Sequence, residues 1–128
     1  MRVAFTSTTG ERIDEHFGAA RSFHVWEVGP DEAKFLEEVS PGGGGDEEDR
    51  IAARADAIAG CAIVYTLQIG GPAAARLVAR RIHPMKTGGA LPVAEAVARL
   101  QEVLKGSPPP WLRKAMNAVN AQKFAEEE

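Results

Sequence analysis

Ala62-Ile63-Val64-Tyr65-Thr66 is a nearly continuous apolar run, led in by Gly60-Cys61 and followed shortly by Gly70-Gly71-Pro72. A short apolar run without alternation is the pattern of a strand buried on both faces, so it belongs inside a sheet as a parallel strand. The residues on either side read as helices. Before it, the acidic stretch Asp46 to Asp49 suits the positive end of a helix dipole, Ile51, Ala55 and Ile58 turn one face inward, and Gly60 supplies the stop. After it, Gly70-Gly71-Pro72 opens a second helix running to about Arg81, with proline at the first helical position, and a short strand follows at Ile82 to Lys86. A last helix starts at Pro92, carries Val93, Ala96, Val97, Leu100, Val103 and Leu104 at helical spacing, and stops at Gly106.

The first third of the chain is different. Arg2 to Thr8 reads as a strand, Phe23, Val25 and Glu27 alternate with His24, Trp26 and Val28, and Lys34 to Val39 returns antiparallel across the turn Gly29-Pro30-Asp31. Ser40-Pro41 and Gly42 to Gly45 then form a flexible link. A hairpin region followed by alternating strand and helix implies an α/β fold: a mixed five-stranded sheet with helices on both faces, in an order that fits a ribonuclease H-like topology.

Composition narrows the function. A chain of 128 residues with 45% hydrophobic content supports one compact domain. Fifteen basic against eighteen acidic side chains, a net charge of -3, lack the cationic excess that nonspecific nucleic-acid or acidic-membrane binding requires. The single cysteine, Cys61, excludes an internal disulfide and a four-cysteine metal site made by this chain alone. No apolar run approaches a membrane span, and the start of the chain enters a strand directly, so a reducing cytoplasmic location is expected.

In open α/β sheets ligands bind beyond the carboxyl ends of the parallel strands. Three segments should meet at that rim: Thr8 to Gly18, with His16 in Asp14-Glu15-His16-Phe17-Gly18; Gln68 to Pro72, with Gly70 and Gly71 at a helix start; and Lys86 to Gly89. Helix-start amides attract negative charge, glycines such as Gly18 admit a bulky ligand close to the backbone, and an imidazole ligates transition metals. The set suits an anionic metal cluster. Asp14 is placed to orient the His16 ring through its other nitrogen, the alternative being an ordinary cap. Cys61 precedes its strand, about five residues at about 3.3 Å each from the rim, and reads as a small buried residue. His24 should face solvent or a covering helix, and His83 starts its strand, so both are structural. Arg76, Arg80, Arg81, Arg99 and Lys105 read as solvated helix faces, and Trp111 as a cap of the last helix against the core, with partner docking as its alternative.

Asp14 to Gly18, Gly60-Cys61 leading into Val64-Tyr65, Gly70-Gly71, Pro84-Met85-Lys86 and Pro108-Pro109-Pro110-Trp111-Leu112 together resemble the NifX/NafY family of nitrogenase iron-molybdenum cofactor biosynthesis proteins. The likeness covers nearly the whole chain, and the Pro-Pro-Pro-Trp-Leu ending is most similar to the NifX branch. It implies a ribonuclease H-like cofactor-binding domain over residues 1–106, with a helical extension and tail over 107–128. It further implies a non-catalytic cytoplasmic carrier, a monomer or weak homodimer, that transiently binds the iron-sulfur precursor cluster (NifB cofactor) and passes it on. The partners implied are NifB and the cofactor scaffold proteins of nitrogenase assembly, with no nucleic acid and no membrane. By the same resemblance the cluster-binding histidine is His16 and the glycine-cysteine position is Cys61. The expected mechanism is storage and handover, with His16 ligating one iron while the rim amides, Lys86 and Arg21 stabilise the anionic sulfides. Two alternatives stand beside it: a regulatory or protein-interaction module of the same fold that binds another metal species or a partner protein, and a two-metal nuclease. The nuclease needs carboxylates on the first strand, and Val3-Ala4-Phe5-Thr6 offers none.

Overall fold

A computed structural model of the chain describes residues 1–42 and 45–115. Its elements are β1 (Arg2–Thr6), β2 (Arg12–Ile13), a 3-10 turn (Phe17–Ala19), β3 (Phe23–Val28), β4 (Ala33–Val39), α1 (Glu47–Ala57), β5 (Ile63–Thr66), α2 (Gly71–Ala79), β6 (His83–Lys86), β7 (Leu91–Pro92) and α3 (Val93–Lys105). Five strands form one sheet in the order β4-β3-β1-β5-β6. β3 pairs antiparallel with both β1 and β4, whereas β5 lies parallel between β1 and β6. The sheet is therefore mixed, and the apolar run at Ile63–Thr66 is its interior parallel strand, buried throughout.

Alternate residues of each strand supply opposite faces, so two cores form. On one face Val3, Phe5, Ile63 and Tyr65 pack with Val93, Ala96, Val97, Leu100 and Leu104 of α3. On the other, Ala4, Phe23, Val25 and Val64 pack with Ala55 and Ile58 from the α1 segment and Ala73 and Leu77 of α2. Helices thus cover both faces. Phe5 and Tyr65, opposite each other in the β1/β5 register, stack at 5.2 Å and tie the two parallel strands together beneath α3.

Helix ends follow local chemistry. Asp46 caps α1, accepting from the Asp49 N–H, while the Asp49 side chain accepts from the Asp46 N–H, a complete capping box. α2 begins behind Gly70 with Pro72 in its first turn and has no side-chain cap. Its end is a Schellman motif: the Arg81 N–H donates to the Val78 carbonyl and the Ile82 N–H to the Leu77 carbonyl.

Several details depart from the pattern of the sequence. Val103 is 41% exposed and lies off the apolar stripe of α3. Between β1 and the 3-10 turn, Arg12–Ile13 pairs with Leu91–Pro92 as a second, two-stranded sheet that fastens the start of α3 to the loop after β1. His24 faces neither solvent nor a helix. It is buried, with Gly10 packed over its ring so closely that a Cβ there would come within 3.1 Å of Cε1. Trp111 does not cap α3 either; it stacks on His83 at 3.8 Å, and its neighbour Leu112 enters the core beneath α3. Gly43 and Gly44 of the link, and the extension and tail beyond residue 115, lie outside the described residues.

Leu112 is 1% exposed within the α3 core, so Leu112→Ala should cost about 2–4 kcal/mol by lost burial and a residual cavity. Chemical denaturation of the two proteins measures it, and a negligible cost would mean that residues beyond Gly106 do not seal this face.

Candidate functional site

The loop after β1 is fixed by hydrogen bonds to the carboxyl ends of both central parallel strands. The Thr6 and Thr66 hydroxyls, the last residues of β1 and β5, lie 2.9 and 3.0 Å from the Glu15 carbonyl, and the Leu67 N–H donates to the same oxygen at 3.0 Å. One residue beyond His16, the Phe17 N–H donates to the Gln68 carbonyl at 2.9 Å, and the Phe17 ring is fully buried against Phe23. His16 is therefore held on both sides by pinned backbone while its own side chain is exposed. Its backbone is extended, φ -70° and ψ 147°, as the residue before the 3-10 turn. The geometry is unstrained and points an imidazole outward from a rigid base.

His16 lines a cleft of about 300 Å³ whose walls are Gly18 and Ala19 of the 3-10 turn, the first turn of α1 at Glu47 and Arg50, and the start of α2 at Gly70 and Pro72. Two helix N-termini meet here, and they are not equivalent. The start of α1 is closed by its own capping box and surrounded by Glu47, Glu48 and Asp49. α2 has no cap, and its first amides lack intrahelical acceptors, so it alone offers backbone N–H groups to an anion. A Cβ added at Gly18, Gly70 or Gly71 would meet nothing within 4 Å, and none of the three has a positive φ. Neither packing nor backbone conformation requires glycine there. What their bare surface provides is room beside the imidazole.

Arg50 was not signalled by the sequence rim, yet it lines the cleft, and no carboxylate pairs with it among the described residues. Behind it, Arg54 donates from Nε to the Ala20 carbonyl at 3.1 Å and from Nη1 to the Arg50 carbonyl. Burial first, and then the Arg50 charge, lower the Arg54 pKa, while Glu15 opposes them. Glu47 sets one negative charge on the same wall, so the cleft carries both signs.

Other residues expected at the rim are placed elsewhere. Asp14 does not hold the His16 ring: its two carboxylate oxygens accept from the Thr8 N–H at 3.0 Å and the Thr8 hydroxyl at 2.6 Å, closing the loop upon itself. Arg21 is exposed beyond the 3-10 turn, its N–H 3.4 Å from Glu15 Oε2, and does not line the cleft. Lys86 ends β6 at the same end of the sheet but borders a groove beside α3. Gly70 joins His16 directly in the cleft lining, and Gly71 follows it as the first residue of α2. Cys61 lies before β5, at the end of the sheet opposite the clamp, 5% exposed; burial pushes its thiol up to about 11, so it stays protonated near neutral pH. In this conformation it cannot join His16 on one ligand. Among the described residues no group of three His, Cys, Asp or Glu side chains converges as a closed metal site, and no helix is long and apolar enough to cross a membrane.

Two outcomes follow from this geometry. Thr66→Val removes a buried hydroxyl shared by the Glu15 and Gln68 carbonyls and should cost about 1–2 kcal/mol, with faster amide exchange at Phe17 and Leu67; unchanged exchange would mean that the clamp does not hold the loop. Cys61 should resist alkylation at neutral pH in the folded protein and react once the chain is unfolded, since only the thiolate is nucleophilic.

The dinitrogenase iron-molybdenum cofactor family model matches residues 1–103. NifX of Herbaspirillum seropedicae is 46% identical over 119 residues, 91% of this chain and 82% of that protein. NifY of Azotobacter vinelandii is 42% identical over 124 residues, 97% of this chain and 51% of NifY, so the chain spans about half the length of that relative. The FeMo cofactor biosynthesis protein NifB of Sinorhizobium fredii is 32% identical over 113 residues, 85% of this chain and 23% of its own length. The crystal structure of PH0822 shares the fold, with a TM-score of 0.64 at 22% identity over 80% of this chain and 89% of that one. On the family model and the extended identity to NifX, the chain belongs to the dinitrogenase iron-molybdenum cofactor family and, within it, to the NifX proteins.

Proposed function

We propose that this protein acts in iron-molybdenum cofactor biosynthesis as a non-catalytic carrier that takes up an iron-sulfur precursor cluster, the NifB cofactor or a later form, and passes it to the scaffold proteins of nitrogenase assembly. The observation that carries this reading is the exposed His16 imidazole, held rigidly by the Glu15 and Phe17 backbone in a glycine-walled cleft at an uncapped helix start. Family membership and the similarity to a part of NifB support the biosynthetic setting.

The site suits uptake and release. One imidazole nitrogen ligates one iron of the cargo, and the α2 amides and Arg50 offset the negative charge of its sulfides. A single side-chain ligand exchanges readily, whereas a four-thiolate cage would retain the cluster. Pinning the backbone around His16 lowers the ordering cost of binding without adding ligands, so the cargo meets a preorganised but weakly holding base. None of these groups forms a nucleophile and base pair, and the reading involves no covalent change in the cargo. The carrier is cytoplasmic in this account, handling cargo made by NifB.

Anaerobic gel filtration with isolated NifB cofactor tests it. Wild-type protein should carry iron through the column, and His16→Ala should elute without it while keeping the wild-type fold; equal loading of both proteins would remove His16 from the ligand shell. Gly70→Val provides a second check. No neighbouring atom lies within 4 Å of the added Cβ, so stability should change by less than about 1 kcal/mol, while the valine fills the space beside His16 and cargo binding falls about tenfold or more. Full loading of Gly70→Val would show that the cluster sits elsewhere. Failure of the folded wild-type protein to bind would favour an interaction module of the same fold.

A further inference from the structure

At the end of the sheet opposite His16, the ends of α1 and α2 and the segment after Pro110 surround a second cavity of about 400 Å³. Its cations are Arg80, Arg81 and Lys114, and no carboxylate lines it among the described residues. Arg80 is already paired with Asp56. Arg81 and Lys114 have no carboxylate partner among the described residues. One wall is aromatic, His83 stacked face to face on Trp111 at 3.8 Å with ring planes 16° apart. Trp111 is 37% exposed, so the pair is a platform open to the cavity. In a protein of net charge -3, this is a local concentration of positive charge beside a flat apolar surface.

The backbone at Arg81 is the second indication. Arg81 occupies the C′ position of the Schellman motif that ends α2, where the chain must turn left-handed and glycine is the usual residue. Its φ is +63°, and it is the only non-glycine residue with positive φ among those described. α1 ends a short way off with Gly60 at φ +91°, on the rim of the same cavity, so the fold uses glycine for the comparable turn. Arginine at this position costs stability, and the turn sets Arg81 in the cavity lining. A helix stop alone would not select it.

We infer that this cavity is a second binding site, for a small ligand bearing an oxyanion, held by Arg81 and Lys114 against the His83–Trp111 stack. The guanidinium supplies paired donors to a phosphate or carboxylate, the ammonium supplies a second charge, and the stack carries any flat or apolar part of the ligand. Cys61, protonated and buried in the cavity floor, adds a neutral surface and no competing negative charge. This site is independent of the carrier reading, because it shares no residue with the His16 cleft.

The test is an amide and indole NMR titration of the full chain at low ionic strength, with pyrophosphate in one arm and succinate in the other. Saturable shifts should appear at Gly60 to Ala62, Arg80 to His83 and the Trp111 indole, and the arm in which they occur assigns the oxyanion as phosphate or carboxylate. Arg81→Gly should raise the melting temperature by removing the left-handed strain, yet weaken binding about tenfold or more; Lys114→Gln should weaken it without stabilising the fold. A wild-type protein that shows no saturable shift at these residues in either arm, shifts confined to the surroundings of His16, or Arg81→Gly binding as tightly as wild type would each overturn the inference.

Discussion

The Glu15 carbonyl is the point on which the site depends. Three donors from the ends of the two central parallel strands converge on it, the Thr6 and Thr66 hydroxyls and the Leu67 N–H. The strands are themselves locked by parallel pairing and by the Phe5–Tyr65 stack. Because β1 and β5 are interior and buried, a loop bonded to their ends inherits their rigidity. His16, the next residue along the chain, is thereby presented by a fixed backbone even though it lies in a loop and its side chain contacts solvent. Burial of Phe17 fastens the other side.

The electrostatics of the molecule are arranged by end. At the rim, one helix start is sealed by Asp46 and Asp49 and the other is left open, so only α2 is available to attract negative charge. Arg50 and Glu47 on the sealed helix set one charge of each sign on the cleft wall. At the opposite end Arg81 and Lys114 have no carboxylate partner among the described residues, and the backbone at Arg81 is left-handed. A cleft beside a pinned loop and a cationic cavity beside a left-handed turn thus lie at the two ends of the same parallel strands.

Much of the fold was legible because it is written in apolar periodicity. The continuous run before Thr66, the alternation in Phe23 to Val28, the capping signal at Asp46 and the Gly70-Gly71-Pro72 start each reflect a local preference that the tertiary structure keeps. His16, Gly18 and Gly70 were legible as neighbours because strand direction alone places their loops at one rim. The clamp was not, since a threonine at a strand end reads as the end of burial; the one available signal is that both central parallel strands close with an aromatic residue and a threonine, Phe5-Thr6 and Tyr65-Thr66. Arg50 was not legible because α1 comes before β5 in the chain, and only its antiparallel return brings its start to the rim. Asp14 and Lys86 failed for a different reason. Direction fixes which end of the sheet a side chain occupies, but a competing local partner, Thr8, and the side on which the loop after β6 leaves decide what it touches.

In the proposed function one backbone-pinned imidazole, and no other side chain of its kind, meets the cargo. The chain has three histidines, His16, His24 and His83, so imidazole resonances of histidine-labelled protein, recorded anaerobically as the iron-sulfur precursor cluster is added, distinguish them directly. The His16 signals should shift or broaden on loading while those of His24, buried beneath Gly10, and His83, stacked on Trp111, stay in place. Loading that leaves His16 unaltered, or that perturbs His83 instead, would contradict it.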